Sequence, residues 1–400
     1  HALPESSAST SAPRHTETTL NFIWIDWATV IAFLALTTGV ALGTRRLISD
    51  YDSFLLAGRT LKLYLAMATM GGADSFLGHR LIGEELTHPE RLWTKLYESM
   101  VHANRRGWAV ICIGAIDVAL WDIYGKMLGQ PVYQLLGGAE RCYAQTPANG
   151  GPPEVVPYCT IVSDTYDDEG MIAQQIERVM QLAELGYRGF KVEPMRSTPE
   201  RVVEMARRAR EAVGPERMLA VDVGYAFNDV PTAQRICRQL EEFGIFFFET
   251  PFPVDWPEAY AKLGARTDIP LAMGEHGVTR WEFLDMMERG GVAVVQPYMT
   301  TCGGITEARR IVELAKTRGA LVCPGNWSTQ ALGSATVHLA AHSPITPFIE
   351  FAPAEIYPSP LRVELQLLGH PVVDGAIALP TAPGIGFDVP EDLIEHFRVV

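Results

Sequence analysis

Between Met218 and His276 the sequence repeats one pattern three times: MLAVDVGYAF (residues 218–227), FFFETPF (246–252) and LAMGEH (271–276). Each run is apolar, reaches a carboxylate, and breaks soon after at Gly or Pro. Continuous apolar runs mark strands buried on both faces, as in a parallel sheet. The acids keep pace with the strands. Asp222, Glu249 and Glu275 are separated by 249 − 222 = 27 and 275 − 249 = 26 residues, one strand–helix unit each.

Working outward, the same kind of run recurs as VPYCTIVS (156–163), GFKVEP (189–194), AVVQPYM (293–299), LVCPGNW (321–327) and FIEFAP (348–353). Amphipathic stretches such as STPERVVEMARRAREAVG (197–214) and VPTAQRICRQLEEFG (230–244) separate them. Eight strands alternating with helices predict right-handed βαβ units closing into a (β/α)8-type barrel. A doubly wound open sheet is the competing architecture, but the Gly-rich dinucleotide turn expected after its first strand is missing. Upstream, THPERLWTKLYES (87–99) predicts a helix with Thr87 as N-cap and Pro89 in its first turn. RRGWAVICIGAIDVALWDIYGKMLG (105–129) predicts a long helix buried on most sides, ended by Gly129 and Pro131.

In a barrel of this kind the site lies at the C-terminal ends of the strands. Three carboxylates converging there cannot all stay ionised without a counter-charge. A hard divalent cation, Mg²⁺, meets that need and keeps positions open for substrate. Three separately salt-bridged acids are the plainer alternative. In GFKVEP, Lys191 and Glu193 stand two apart on a strand and therefore face the same space.

Composition agrees with a globular enzyme. Of 400 residues, 48% are hydrophobic and 20% charged, which carries no disordered bias. A net charge of −14 argues against a nucleic-acid partner, which calls for a basic surface. The six cysteines (Cys112, Cys142, Cys159, Cys237, Cys302, Cys323) form no CxxC pair and suit buried thiols in a reducing, cytoplasmic setting.

The start of the chain differs. Residues 1–21 read as a disordered polar tail. From Trp27 to Gly43 no charge occurs, and Arg45 and Arg46 follow, as expected of a membrane-crossing helix with a positive-inside anchor. A buried helix is the alternative; a signal peptide lacks its basic n-region here. Membrane association is therefore expected only through residues 22–43. Residues 22–74, with SDYDSFLLAGRTLKLYLAMATMGGAD, resemble the start of a sodium/solute symporter. No further span follows residue 75, which excludes transport as the activity. The missing initiator Met and this joined segment suggest a fusion, a fragment or a misassembled reading frame.

The runs AVDVGY, FFFETPF, AMGEH, VVQPYMTTCGGITEA and FIEF together resemble the enolase superfamily, in its mandelate racemase/muconate lactonizing enzyme branch. LIGEELTHPERLW (81–93), GAIDVALWDIYGKMLGQPVYQLLGG (114–138) and APGIGFDVP (382–390) extend the resemblance over residues 78–395. It implies a modified TIM barrel, (β/α)7β, over residues 151–370, and a partial helical cap over 78–150. Residues 371–400 would return to the cap, and the hydrophobic segment 22–77 would precede it. It implies Asp222, Glu249 and Glu275 as Mg²⁺ ligands and removal of the proton alpha to a carboxylate, a step that needs a cation and fixed donors for the enediolate.

Two departures stand out. The branch carries Lys-x-Lys on its second strand, and here the second lysine is Glu193. Its His–Asp dyad, at the ends of the seventh and sixth strands, falls on Gly325 and Tyr298. Glu350 matches the acid that ends the eighth strand and binds substrate, with Asn326 beside it. Lys191 is expected as an electrostatic clamp, and Glu193 as base or acid, as a group positioning metal or substrate, or as a salt-bridge partner. His276 and Tyr298 are further proton-transfer candidates. His338 and His342 read as packing residues. The cap that would close over substrate is replaced in part by the symporter-like segment, so poor closure is expected.

These features predict a Mg²⁺-dependent lyase that abstracts the alpha-proton of a sugar acid or hydroxy acid and expels the beta-hydroxyl. A racemase, epimerase or cycloisomerase is the alternative within the superfamily. A catalytically silent metal-binding fusion fragment is the alternative outside it. The partner is a small carboxylate substrate, and a homo-oligomer is expected.

Overall fold

A computed structural model describes residues 77–102, 104–139, 153–165, 167–195, 197–327 and 329–397. The tail over 1–21 and the membrane- or symporter-like segment over 22–77, except its last residue Leu77, lie outside the described residues. Helices α1 (Pro89–Ser99), α2 (Trp108–Leu128) and α3 (Val132–Leu135) come first. Short strand β1 (Glu154–Val155) leads into β2 (Pro157–Ile161), and strict alternation follows. Its order is α4 (Asp168–Glu184), β3 (Gly189–Val192), α5 (Pro199–Val213), β4 (Met218–Asp222), α6 (Val230–Leu240) and β5 (Phe248–Glu249). Then come α7 (Pro257–Gly264), β6 (Leu271–Met273), α8 (Thr279–Glu288), β7 (Val294–Val295), α9 (Ile305–Thr317), β8 (Leu321–Val322), α10 (Gln330–His342) and β9 (Ile349–Phe351).

The eight strands form one parallel sheet in the order β8-β7-β6-β5-β4-β3-β2-β9. Two backbone hydrogen bonds link its ends, Val322 N–H to Ile345 O and Glu350 N–H to Pro324 O, both 3.0 Å. Seven strand–helix units and a closing strand thus make the barrel, and the open doubly wound sheet is excluded. Alternation along each strand divides the side chains. Tyr158, Met218, Ala220, Phe247, Ala272, Val294 and Cys323 fill the barrel interior. Phe190, Val192, Leu219, Val221, Phe248 and Met273 pack outward against the helices. The inward positions at the strand ends are therefore Lys191, Asp222 and Glu249.

Two details differ from the sequence expectations. The N-cap of α1 is His88, not Thr87: Pro89 already takes helical geometry, and His88 Nδ1 accepts from Glu90 N–H at 3.2 Å. Helix α2 is apolar all round yet buried along one face only. Val110, Ile113, Gly114, Asp117, Val118, Trp121 and Gly125 face inward, while Trp108, Ile123 and Met127 are exposed. It is the one described helix long and apolar enough to cross a membrane, and its inner face is committed to the core.

That inner face meets the start of α9 at very short range. A Cβ on Gly114 would lie 2.4 Å from Thr300 O, and one on Gly304 2.5 Å from Asp117 Oδ2. Only glycine permits this approach. Asp117 then caps α9 from another helix. Its Oδ2 accepts from Thr306 N–H (2.8 Å) and its Oδ1 from the Thr306 hydroxyl (2.7 Å), which itself accepts from Trp121 Nε1–H (2.9 Å). Burial pushes the Asp117 carboxyl up to about 7, against the pull of these hydrogen bonds. The folded protein therefore holds this proton more tightly than the unfolded chain, where an Asp titrates near 3.9. The resulting stabilisation is complete below that range and is lost as pH rises through about 7. Asp117→Ala is expected to cost about 2–3 kcal/mol at pH 4–5, with the gap to wild type narrowing toward pH 8. Urea unfolding across that range checks it, and a gap independent of pH counts against it.

After β9 come α11 (Pro360–Leu368), β10 (Val372–Val373), β11 (Ala376–Ala378) and α12 (Glu391–His396). Strands β1, β11 and β10 form a small antiparallel sheet. Beyond it the chain reaches the first helices: Val132 N–H donates to Gly384 O, Ile385 N–H to Asp122 Oδ1, and Lys126 pairs with Asp388. The five cysteines described are free, four of them buried; Cys142 lies outside the described residues. His338 and His342 sit on α10, His338 fully buried with Nδ1 accepting from Tyr133 N–H, so both are packing residues.

Candidate active site

Lys191 organises the barrel mouth. It is 3% exposed, and its Nζ lies 2.9 Å from Glu249, 3.3 Å from Asp222, 3.3 Å from Glu350 and 3.7 Å from Glu193. Four carboxylates surround one ammonium. Burial opposes the lysine's charge, but Glu249, Glu350 and Asp222 outweigh it and hold its pKa well above the usual range. Lys191 is thus a fixed cation and a poor base. Burial, followed by the charge of Asp222, pushes Glu249 up to about 8. Glu193 is raised well above its usual value for the same two reasons. Glu350 is lowered: burial is outweighed by Lys191 and by hydrogen bonds from Thr160, Tyr298 and Asn326.

The strand register shows why these acids differ. Asp222 lies directly opposite Glu249, and Glu249 opposite Ala272. Glu275 therefore stands three residues beyond the level of the other two, although its sequence spacing is equal. Gly274 bends the strand at φ +140°, where a Cβ would meet Gln296 N at 2.8 Å. Glu275 is half-buried and accepts from the Tyr225 hydroxyl at 2.6 Å. Among the described residues no three His, Cys, Asp or Glu side chains are gathered closely enough to form a metal centre as they stand. The donor chemistry nevertheless suits a hard cation. The cluster holds more negative charge than Lys191 neutralises, and neither Glu249 Oε1 nor Glu275 Oε2 meets a hydrogen-bond donor or cation among the described residues.

Several residues that hold these acids were missed in the sequence. Gln296 Nε2–H donates to Glu249 at 2.8 Å and Thr250 Oγ1–H to Asp222 at 2.6 Å. Thr250 (φ 47°) and Tyr225 (φ 64°) both take left-handed backbone, costly for a β-branched and an aromatic residue. Each turns its hydroxyl onto a carboxylate, which is where such strain is used. The only sequence signal was position, directly after or shortly after an acid.

The remaining candidates separate. His276 is largely exposed, 3.5 Å from Glu275 and stacked on Tyr225, so it sits on the rim rather than in the cluster. Glu350 is fully engaged: Thr160 Oγ1–H donates at 2.6 Å, the Tyr298 hydroxyl at 2.6 Å and Asn326 N–H at 2.7 Å, beside Lys191. The buried Asn326 Oδ1 has no hydrogen-bond partner. The Tyr298 ring stands where a side chain at 325 would go, for a Cβ on Gly325 would fall 1.7 Å from its Cε2.

Comparison with known proteins places this arrangement. Residues 172–393 match the family described as enolase C-terminal domain-like, and 57–137 match the mandelate racemase/muconate lactonizing enzyme N-terminal domain. The chain belongs to the mandelate racemase/muconate lactonizing branch of the enolase superfamily. The N-terminal match takes in residues 57–74, which the sequence reading had given to the symporter-like segment; no symporter relationship is supported. An arabinonate dehydratase of Saccharolobus solfataricus is 28% identical over 355 residues, covering 88% of this chain and 89% of that protein. An L-rhamnonate dehydratase of Saccharopolyspora erythraea is 32% identical over 322 residues, covering 78% and 75%. The crystal structure of the 3,6-anhydro-D-galactonate cycloisomerase from Zobellia galactanivorans superposes with a TM-score of 0.72 at 30% identity, covering 83% and 88%. Enolase-superfamily enzymes generally require magnesium.

At this mouth the partly buried Glu193 stands beside Lys191, and Gly325 leaves the room that the Tyr298 ring fills.

Proposed function

We propose that this enzyme is a Mg²⁺-dependent sugar-acid dehydratase. The names of its dehydratase relatives support the reaction class. The observation that carries the residue roles is Lys191 beside Glu193, inside a cluster whose negative charge exceeds its positive. Asp222, Glu249 and Glu275 would hold the metal. When bound, magnesium supplies a Lewis acid for the substrate carboxylate and charge to oppose the enediolate.

The chain's own groups do the rest. Lys191 presents a permanent ammonium to the substrate carboxylate, where charge grows as the alpha-proton leaves. Glu193 moves the proton. Of the four carboxylates it is the farthest from Lys191, and the ammonium is already held by three others, so Glu193 is not required as its partner. As a carboxylate it takes the C2 proton, forming O–H as C2–H breaks. It then returns that proton to the C3 hydroxyl, which leaves as water while the C2–C3 double bond forms. The enol product becomes a 2-keto-3-deoxy acid on tautomerisation. Tyr298 and the Asn326 backbone fix Glu350, and Asn326 Oδ1 is free to accept a substrate hydroxyl.

A second reading, a cycloisomerase of a sugar-derived acid, rests on the similarity to the Zobellia enzyme. One experiment separates the readings: the full chain with Mg²⁺, in D2O, against a panel of aldonates, aldarates and anhydro-sugar acids. Loss of the C2 proton signal with a product lighter by one water supports the dehydratase. An isomer of unchanged elemental composition supports the cycloisomerase. No exchange with any acid, in protein that still binds Mg²⁺, supports a silent metal-binding chain.

A further inference from the structure

The barrel mouth is one-sided. Among the described residues, the acids and the lysine on the strands from β3 to β6 are Lys191, Glu193, Asp222, Glu249 and Glu275, with His276 on the rim. The facing ends, β7 and β8, supply Gln296, Tyr298, Gly325 and Asn326. Of these four, Tyr298 is the one that can carry a proton to or from substrate. Its hydroxyl is already donating to Glu350 at 2.6 Å, and burial followed by the Glu350 charge holds the phenol neutral, far above its ordinary range. Glu350, on β9 between the two halves, has both oxygens taken by Thr160, Tyr298, Asn326 and Lys191. The ring also closes the space itself, since a Cβ at position 325 would lie within 1.7–2.5 Å of three of its atoms. A side chain at position 325 cannot be seated on that wall without moving the tyrosine.

We infer that the enzyme works on one face of the alpha-carbon only, and that the Tyr298 ring, lodged against Gly325, makes it selective for a single C2 configuration of its sugar acid. This rests on the dehydratase reading and adds the stereochemical class of substrate to it. A substrate anchored by its carboxylate can offer its C2 proton to Glu193 in one epimer; in the other, the proton points at the tyrosine wall. The proton removed from C2 and the hydroxyl lost from C3 then leave from the same face, because a single carboxyl group serves both bonds. Epimers should not interconvert, since among the described residues no second group stands opposite Glu193 to return the proton.

The test uses the unmodified enzyme with Mg²⁺, the acid found active in the panel above, and its C2 epimer. Loss of the C2 proton signal in D2O is followed for each. The epimer is expected to exchange at least about 100-fold more slowly, the least that a missing general base costs. Comparable exchange of both epimers, or their interconversion, overturns the inference while leaving the dehydratase reading in place. If no panel acid reacts, the dehydratase reading fails instead, and the inference with it. Tyr298→Phe keeps the ring and removes the hydroxyl, and the epimer preference is expected to persist in it. A preference that collapses there assigns the discrimination to the hydroxyl and overturns the steric account.

Discussion

Lys191→Met is expected to destabilise the metal-free protein by about 3–5 kcal/mol, the range for stripping one partner from a buried ion cluster. The methionine fills the volume of the lysine stem but leaves Glu193, Asp222, Glu249 and Glu350 facing one another without a cation. Millimolar Mg²⁺ is expected to restore much of the loss, by putting positive charge back among the same oxygens. Turnover should still fall by about 10³-fold or more, because a fixed donor to the developing enediolate is gone. Urea unfolding with and without Mg²⁺ reads the first effect. If the variant is as stable as wild type, or if Mg²⁺ stabilises both equally, the picture of an over-charged cluster held by one ammonium is wrong.

Glu193→Gln separates catalysis from charge balance. The amide keeps the shape of the side chain and removes its ability to exchange a proton. Turnover is expected to drop about 10³-fold, within the usual range for a lost acid–base group. Mg²⁺ affinity should change only slightly, and stability should hold or rise, because burial already disfavours charge at this position. Isotope exchange at C2 is the sharper readout, since it isolates proton removal from loss of water. Exchange at the wild-type rate would return Glu193 to a supporting place beside Lys191 and shift the search for the base elsewhere.

The barrel was legible because its signal is local. Apolar runs ending in acids at a spacing of one strand–helix unit already imply strand ends around a common mouth, and the structure has that arrangement. The pair Lys191 and Glu193 was legible for the same reason, since alternation along one strand needs no knowledge of its neighbours. Glu275 shows where this stops. Its spacing is equal to the others, yet the register of β5 against β6 and the bend at Gly274 lift it above Asp222 and Glu249. Register depends on pairing between strands, which spacing in one chain does not carry. Tyr298 and Gly325 make the same point from another side. Each substitution was visible alone, but that the ring of one fills the room left by the other appears only when β7 and β8 lie side by side. Thr250 and Tyr225 were missed because their contribution depends on backbone angles, and neither residue type suggests left-handed geometry.

The seating of α2 also bears on how the chain is made. Asp117 finds its partner Thr306 189 residues later, and Asp122 finds Ile385 263 residues later. Synthesis runs from the N-terminus, so this helix leaves the ribosome with α1 to pack against but before α9 exists to complete the cover of its inner face. The contact with α9 waits for most of the barrel to be made, and contacts at such separation form slowly. Residues 384–388 must therefore be made before the first helices are fastened to them.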